Sequence, residues 1–265
     1  MMMLRILLLK KVHCAVLLFA VLSCSQKKEK SSPYAHLSDP EVAAVLKKGI
    51  DWAGGMDRWQ ELTSIVYDKH SVLLLEDSTI ENETFQKHSY VMQPTFSADI
   101  SWTKDSVQHQ IQMNEKARKI ENDSVVGEGA KVAQSVYSSL YVLGMPWKLL
   151  DGGVHLKLEE DVVIRGEKAF TIKAEYSPAE NENHSTSDVW WYYFQKTDGA
   201  FMGCLVYHAP TFAYIENLEF HNVEGMKFHK HRKSYRSDEN RKIQFLRAEF
   251  WYEDYQLSFQ ESTSE

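Results

Sequence analysis

The sequence predicts an α+β fold in which a strongly curved antiparallel sheet of about nine or ten strands packs against two main helices. Two segments, near residues 38–55 and 130–146, have helical periodicity, and segments of alternating polarity occupy most of the remaining chain. The turns between these segments are short, which makes neighbouring strands antiparallel. A sheet of that size covered by helices on one face forms one domain, which we place at residues 39–262.

The first 23 residues have the layout of a secretion signal: three basic residues, an apolar run over residues 15–22 and a small Ser23. The adjoining "VLSC" resembles the lipobox of bacterial lipoproteins, whose cysteine is acylated and becomes the first residue after cleavage. The resemblance implies that Cys24 carries the lipid and anchors the protein to a membrane without crossing it. Residues 24–38 are polar and lack apolar periodicity, so we expect a flexible tether there.

Charge and cysteine content exclude several classes of function. Cleavage after residue 23 leaves 27 Lys and Arg against 37 Asp and Glu, a formal charge of −10, which is a poor match for nucleic acid. With Cys14 removed and Cys24 acylated, only Cys204 remains, so we expect neither an intramolecular disulfide nor a cysteine-based zinc site. The apolar surroundings of Cys204 predict a small buried side chain.

The first helix is predicted in "SDPEVAAVLKKGIDWAGG", where Ser38 or Asp39 caps the N-terminus, a proline occupies the first turn and two glycines end the helix. The second is predicted in "AKVAQSVYSSLYVLGMPW", which has an apolar stripe and ends at Gly144.

Strands are predicted in nearly all other segments. "AFTIKAEY" alternates in polarity, "DVWWYYFQKTDG" follows it, and an Asp-Gly turn leads to "FMGCLVYHA". Further strands are predicted in "TFAYIENLEFHNVEG", "MKFHKHRKSY" and "RKIQFLRAEFWYEDYQLSF", and upstream in "LTSIVYDKHSVLLLED", "TFQKHSYVM" and "SVQHQIQMN". The acidic run "KLEEDVV", with Glu159, Glu160 and Asp161, is expected to form a turn rather than a pair of catalytic carboxylates.

The order of these segments resembles an uncharacterised family of Gram-negative bacterial lipoproteins. The resemblance rests on the helix ending "AGG", on "SVYSSLYVLGMPWKLLDGGV", and on "KAFTIKAEY", "DVWWYYFQKTDG" and "NVEGMKFHKHRKSY". It implies an architecture similar to LolA and LolB, an incomplete β-barrel wrapped on helices around an apolar cavity. It also implies an outer-membrane lipoprotein that faces the periplasm.

Five consecutive aromatic residues in the strand that begins at Asp188 raise the question of what they contact. Trp190, Tyr192 and Phe194 point to one face, and Trp191 and Tyr193 to the other. They either fill the core or line a ligand cavity. The candidate ligand-binding residues are Phe170, Ile172, Trp190, Tyr192, Phe194, Leu246 and Phe250.

No recognised catalytic or nucleotide-binding motif is present, so we expect no enzyme activity and no cofactor. His229 and His231, two residues apart in one strand and therefore expected on the same face, are weak candidates for metal ligands, and the basic residues beside them oppose a cation site. Basic residues between Lys227 and Lys242 either face anionic headgroups or are simply solvated.

Three functions remain open at this stage. The first is a non-catalytic carrier or binder of a lipid or a lipoprotein acyl chain, which requires a cavity. The second is a structural or interaction role in outer-membrane assembly, which requires a filled core and an exposed apolar patch. The third is a hydrolase of a new kind, which requires polar groups converging in a pocket.

Overall fold

The computed structural model describes residues 32–177 and 188–260. The helices are α1 (Pro40–Ala53), α2 (Met56–Glu61) and α3 (Ala130–Leu143), followed by a 3-10 turn (Trp147–Leu150). The strands are β1 (Leu62–Leu74), β2 (Ile80–Val91), β3 (Ser97–Lys104), β4 (Val107–Met113), β5 (Ala117–Glu121), β6 (Ser124–Glu128), β7 (Val154–Ile164), β8 (Glu167–Tyr176), β9 (Val189–Gln195), β10 (Phe201–His208), β11 (Thr211–Val223), β12 (Met226–Ser237) and β13 (Ile243–Phe259). The predicted signal peptide, Cys24 and the tether up to residue 31 lie outside the described residues.

All thirteen strands belong to one open antiparallel sheet. Its order is β6-β5-β4-β3-β2-β1-β13-β12-β11-β10-β9-β8-β7, so the first and last strands pair in the middle. The chain passes from the β6 edge to the β7 edge through α3 and the 3-10 turn. In the described part of the chain, no helix is long and apolar enough to span a membrane.

The described residues form thirteen strands, which corrects the expected nine or ten. Strands β3, β5, β6 and β7 were not predicted from the sequence. β5 and β6 have five residues each, which is too short for a clear alternation of polarity, and β6 is largely exposed. β7 contains the acidic run Glu159 to Asp161, which lies at an irregularity of the β7–β8 pairing and not in the expected turn. The irregularity interrupts the alternation of polarity from which a strand is recognised.

Helix α1 begins and ends where the sequence predicts. The Asp39 carboxylate accepts hydrogen bonds from the backbone N–H groups of Glu41 (2.8 Å) and Val42 (3.3 Å), and Gly54 follows the last turn. These bonds satisfy two of the N–H groups that a helix start leaves without intrahelical partners. Helix α3 ends at Gly144 as predicted, but no side chain caps its start at Gly129.

A glycine lets α1 approach the aromatic strand closely. A Cβ atom at Gly49 would lie 2.7 Å from two ring carbons of Phe194, so any larger residue requires a shift of the helix or the ring. The turn from β9 to β10 is bound to the same helix, because Lys48 Nζ donates a hydrogen bond of 2.6 Å to the Lys196 carbonyl oxygen. Helix α1 is therefore fixed against β9 at this point.

Candidate functional site

The inner face of the sheet, which the helices cover, carries two apolar clusters. The first inner cluster joins β1–β3, β12 and β13 to α3 through buried residues that include Ile65, Phe228 and Leu140. The second inner cluster joins β8–β10 to α1 through residues that include Ile172 and Leu46. Helix α3 contributes to both, with Val136, Leu140 and Leu143 in the first and Tyr141 in the second.

The five aromatic residues of β9 divide between the two faces as predicted. Tyr192 and Phe194 are buried in the second inner cluster, and Trp190 packs at its margin. Trp191 and Tyr193 belong to a separate outer cluster with residues such as Leu205 and Tyr214. Both faces of β9 are thus covered by apolar side chains of this chain.

Hydrogen bonds and a cation complete the surroundings of the aromatic strand. On the outer face, Trp191 Nε1 donates to a Glu159 carboxylate oxygen (3.0 Å), and the Arg241 guanidinium lies 5.5 Å from the Tyr193 ring centre. On the inner face, the hydroxyl of Tyr176 lies within hydrogen-bonding distance of the hydroxyls of Tyr141 (2.7 Å) and Tyr192 (2.9 Å). Burial raises the pKa of all three phenols, so the chain of hydroxyls is neutral. The hydrogen bonds between these hydroxyls fix the positions of the three tyrosine side chains in the core.

The structure brings together five of the seven candidate ligand-binding residues. Phe170, Ile172, Trp190, Tyr192 and Phe194 all lie in or against the second inner cluster. Phe250 packs against the first inner cluster instead. Leu246 belongs to neither, and its register partner is Tyr235, which packs against the outer cluster.

The inner face is filled by side chains of the helices and the 3-10 turn. Trp147 is fully buried and stacks on Trp59 at a centroid distance of 4.8 Å. The Tyr141 ring packs edge-on against the Tyr176 ring, at a centroid distance of 5.6 Å. A ligand can reach the inner face only if it displaces such groups. Two open clefts of about 610 and 590 Å³ lie along the outer face, the first beside Phe85 and Trp251 and the second beside Trp191.

His229 and His231 do not share a face of β12, in contrast to the sequence expectation. The β11–β12 register is irregular between them, so that His229 turns inward against Phe220 and Tyr252. His231 turns outward, stacks on Trp251 and bonds to Glu249 (2.6 Å). No group of three metal-ligating side chains occurs among residues 32–177 and 188–260.

The basic residues of β12 and its following turn do not form one surface patch. Lys227 lies 4.1 Å from the Trp52 ring centre, and Arg241 faces Tyr193 on the outer side. Lys230 pairs with Glu219, and Arg232 is buried on the inner side. The burial of Arg232 was not predicted, because one charged residue in a charged run gives no indication of burial.

The only cysteine in the described part of the chain, Cys204, is buried in the second inner cluster. Burial raises the pKa of its thiol to about 12, with a smaller opposing effect from Arg232. A thiol in this state is a poor nucleophile.

Comparison with known proteins gives similarity at the level of fold. No protein-family model matches the sequence, and no curated protein does. A DUF1329 family protein from Desulfovibrio piger has a similar structure, with a TM-score of 0.55 and 8% identity, over 83% of this chain and 95% of the other.

Two further structures have a TM-score of 0.51. One is a putative outer membrane lipoprotein-sorting protein domain from Vibrio parahaemolyticus, with 6% identity over 83% of this chain and 95% of the other. The other is a LolA superfamily protein from Nitrosomonas europaea, with 9% identity over 82% of this chain and 93% of the other. The chain therefore has a LolA-like fold, which confirms the predicted resemblance in architecture.

Proposed function

We propose that this protein is a membrane-anchored lipoprotein of the bacterial envelope that binds an apolar chain, from a lipid or a lipoprotein, on its inner sheet face. Binding involves no catalysis, and the protein faces the periplasm from the outer membrane. The lipobox-like "VLSC" supports the anchor, and the LolA-like fold supports an envelope location. The observation that carries the proposal is the cover of the inner face, where α3, like α1, packs over parts of both apolar clusters.

Displacement of α3 provides a route to the inner face. The helix has 14 residues and no side-chain cap at its start, and it follows the short edge strand β6. An uncapped helix of this length depends on packing for its stability, so it is the element that a competing apolar ligand displaces most readily. The apolar area that α3 buries is then buried by the ligand, at about 25 cal/mol per Å².

The test is the mass spectrometry of organic extracts from the chain carrying Cys24→Ser, purified from the periplasm without detergent. The expected result is a stoichiometric lipid or other apolar compound that an exported control of similar size lacks. A clean extract from a well-folded protein contradicts the proposal.

Neighbouring tryptophans of β9 provide a matched pair of variants. Trp190 stacks on Tyr192 at 5.8 Å on the inner face, whereas Trp191 lies on the outer face, and both are partly exposed. Trp190→Ala is expected to reduce the extracted ligand, while Trp191→Ala leaves it unchanged. An equal loss of extracted ligand in both variants indicates general destabilisation of the protein instead.

A second candidate function, an interaction role in envelope assembly, is favoured by the outer cleft of about 610 Å³. Phe85 at this cleft is 65% exposed and stacks on His70. A ligand-free extract would favour this role.

A further inference from the structure

Arg232 of β12 is a buried cation without a carboxylate partner among the described residues. It is 5% exposed, and its Nε donates a hydrogen bond of 2.9 Å to Asn217 Oδ1. Its neighbours on the same strand differ, because Lys230 pairs with Glu219, and Lys233 pairs with Glu249. A buried guanidinium normally requires a counter-charge, since desolvation of an unpaired ion is strongly unfavourable.

Lys69 of β1 joins Arg232 on the inner face. β13 lies between their strands and places Phe250 opposite Arg232 and Tyr252 opposite Lys69. Lys69 Nζ lies 5.2 Å from the Phe250 ring centre and 5.7 Å from that of Tyr252. The described residues give Lys69 no carboxylate partner either. Lys69 therefore lies against the ring of Phe250, the residue that is opposite Arg232 in the register.

The titratable groups around this pair respond to its positive potential. Burial raises the pKa of Tyr252, but Lys69 and Arg232 oppose burial and lower it overall. Burial lowers the pKa of His88 to about 3, and Lys69 adds to this effect. The phenols of Tyr67 and Tyr255 and the thiol of Cys204 are also near the pair, and they are neutral because burial raises their pKa values. His229 is a further neighbour, and burial and Arg232 lower the pKa of its imidazole. None of these groups is a carboxylate.

We propose that Arg232 and Lys69 bind the anionic group, a carboxylate or a phosphate, of an amphiphile whose apolar chain lies on the inner face. The site adjoins apolar surface, because Phe250 packs against the first inner cluster. The guanidinium offers a planar set of donors that matches both anions, and Asn217 orients it through Nε. This inference rests on the proposed function and specifies its ligand class.

The experiment compares decanoate with 1-decanol by isothermal titration calorimetry on the chain carrying Cys24→Ser. The two probes share a chain length and differ in charge. The expected result is that decanoate binds about 10-fold or more tightly than the alcohol, the range of a charge-assisted hydrogen bond in a buried site. A third titration uses dioctanoyl phosphatidylglycerol. Tighter binding of this lipid identifies the source of the anion as a phospholipid, and tighter binding of decanoate identifies it as a fatty acid.

Substitutions test whether Arg232 and Lys69 cause the preference for decanoate over decanol. Arg232→Met and Lys69→Met are each expected to weaken decanoate binding and leave decanol binding unchanged, whereas Arg232→Lys retains part of the preference. The control is Lys87→Met on β2, whose side chain is exposed and lies opposite Asp68 in the register. It is expected to bind both probes as the unsubstituted protein does.

The outcomes separate this inference from the function on which it rests. Equal affinity for decanoate and decanol in the unsubstituted protein overturns the anion site and leaves the apolar binding function in place. Absence of binding by both probes overturns the two together. Neither result depends on the folding of a variant.

Discussion

The buried imidazole of His88 should make the stability of this protein depend on pH in a specific way. His88 is 2% exposed, stacks on Tyr67 at 4.7 Å and lies 3.1 Å from the Tyr90 hydroxyl through Nδ1. Burial, assisted by Lys69, lowers its pKa from 6.5 to about 3. The unfolded chain therefore binds a proton at higher pH than the folded chain does.

The sign and size of the effect follow from these two pKa values. The contribution of neutral His88 to stability is complete above pH 6.5 and is lost progressively as the pH falls toward 3. At pH 5, the loss from this residue is about 2 kcal/mol relative to pH 8. His229, whose pKa is lowered by burial and by Arg232, acts in the same direction.

Urea unfolding at pH 8 and pH 5 measures the effect. His88→Phe preserves the stacking on Tyr67 and should lower the difference in unfolding free energy between the two pH values by about 2 kcal/mol. Tyr90→Phe is the control, since it removes the same hydroxyl contact but retains the buried imidazole. The reasoning is refuted if His88→Phe and the unsubstituted chain lose equal free energy between pH 8 and pH 5.

Three further predictions concern the anchor, the helix contact and the thiol. The Cys24→Ser variant should leave the membrane fraction in a carbonate wash that the unsubstituted protein resists; retention of the variant would contradict lipid anchoring at this position. Gly49→Ala should lower the unfolding free energy by about 1–3 kcal/mol, because the added Cβ would lie 2.7 Å from the Phe194 ring. Denaturant titration measures this change, and an increase in the unfolding free energy would contradict the close packing. Cys204 should react with iodoacetamide only after unfolding, since it is 1% exposed and burial raises its thiol pKa to about 12; rapid labelling of the native chain, detected by mass spectrometry, would exclude this burial.

The sequence was sufficient to predict elements with strong local signals. The Asp39 cap and the proline in the first turn predicted the start of α1, and the glycine after α3 predicted the end of that helix. The alternation of β9 placed Trp190 and Trp191 on opposite faces, because strand geometry fixes this without knowledge of tertiary contacts.

Other features depend on tertiary context and were not predicted. The irregular pairing in β12 separates His229 from His231, and such irregularities depend on the partner strand. The position of Leu246 outside both inner clusters follows from a similar shift between β12 and β13. The burial of Arg232 depends on Asn217, its partner on β11.

The pairing of β1 with β13 has a consequence for how the chain acquires its structure. These strands meet at the centre of the sheet, yet almost the whole domain separates them in sequence. Each half of the sheet is a meander of sequential neighbours, so hairpins can form locally, but the two meanders can join only after the final strand has emerged. A chain that is synthesised from its N-terminus therefore lacks its central strand pair until synthesis is nearly finished. The last strand is then the element that joins the two meanders and commits the chain to the native state.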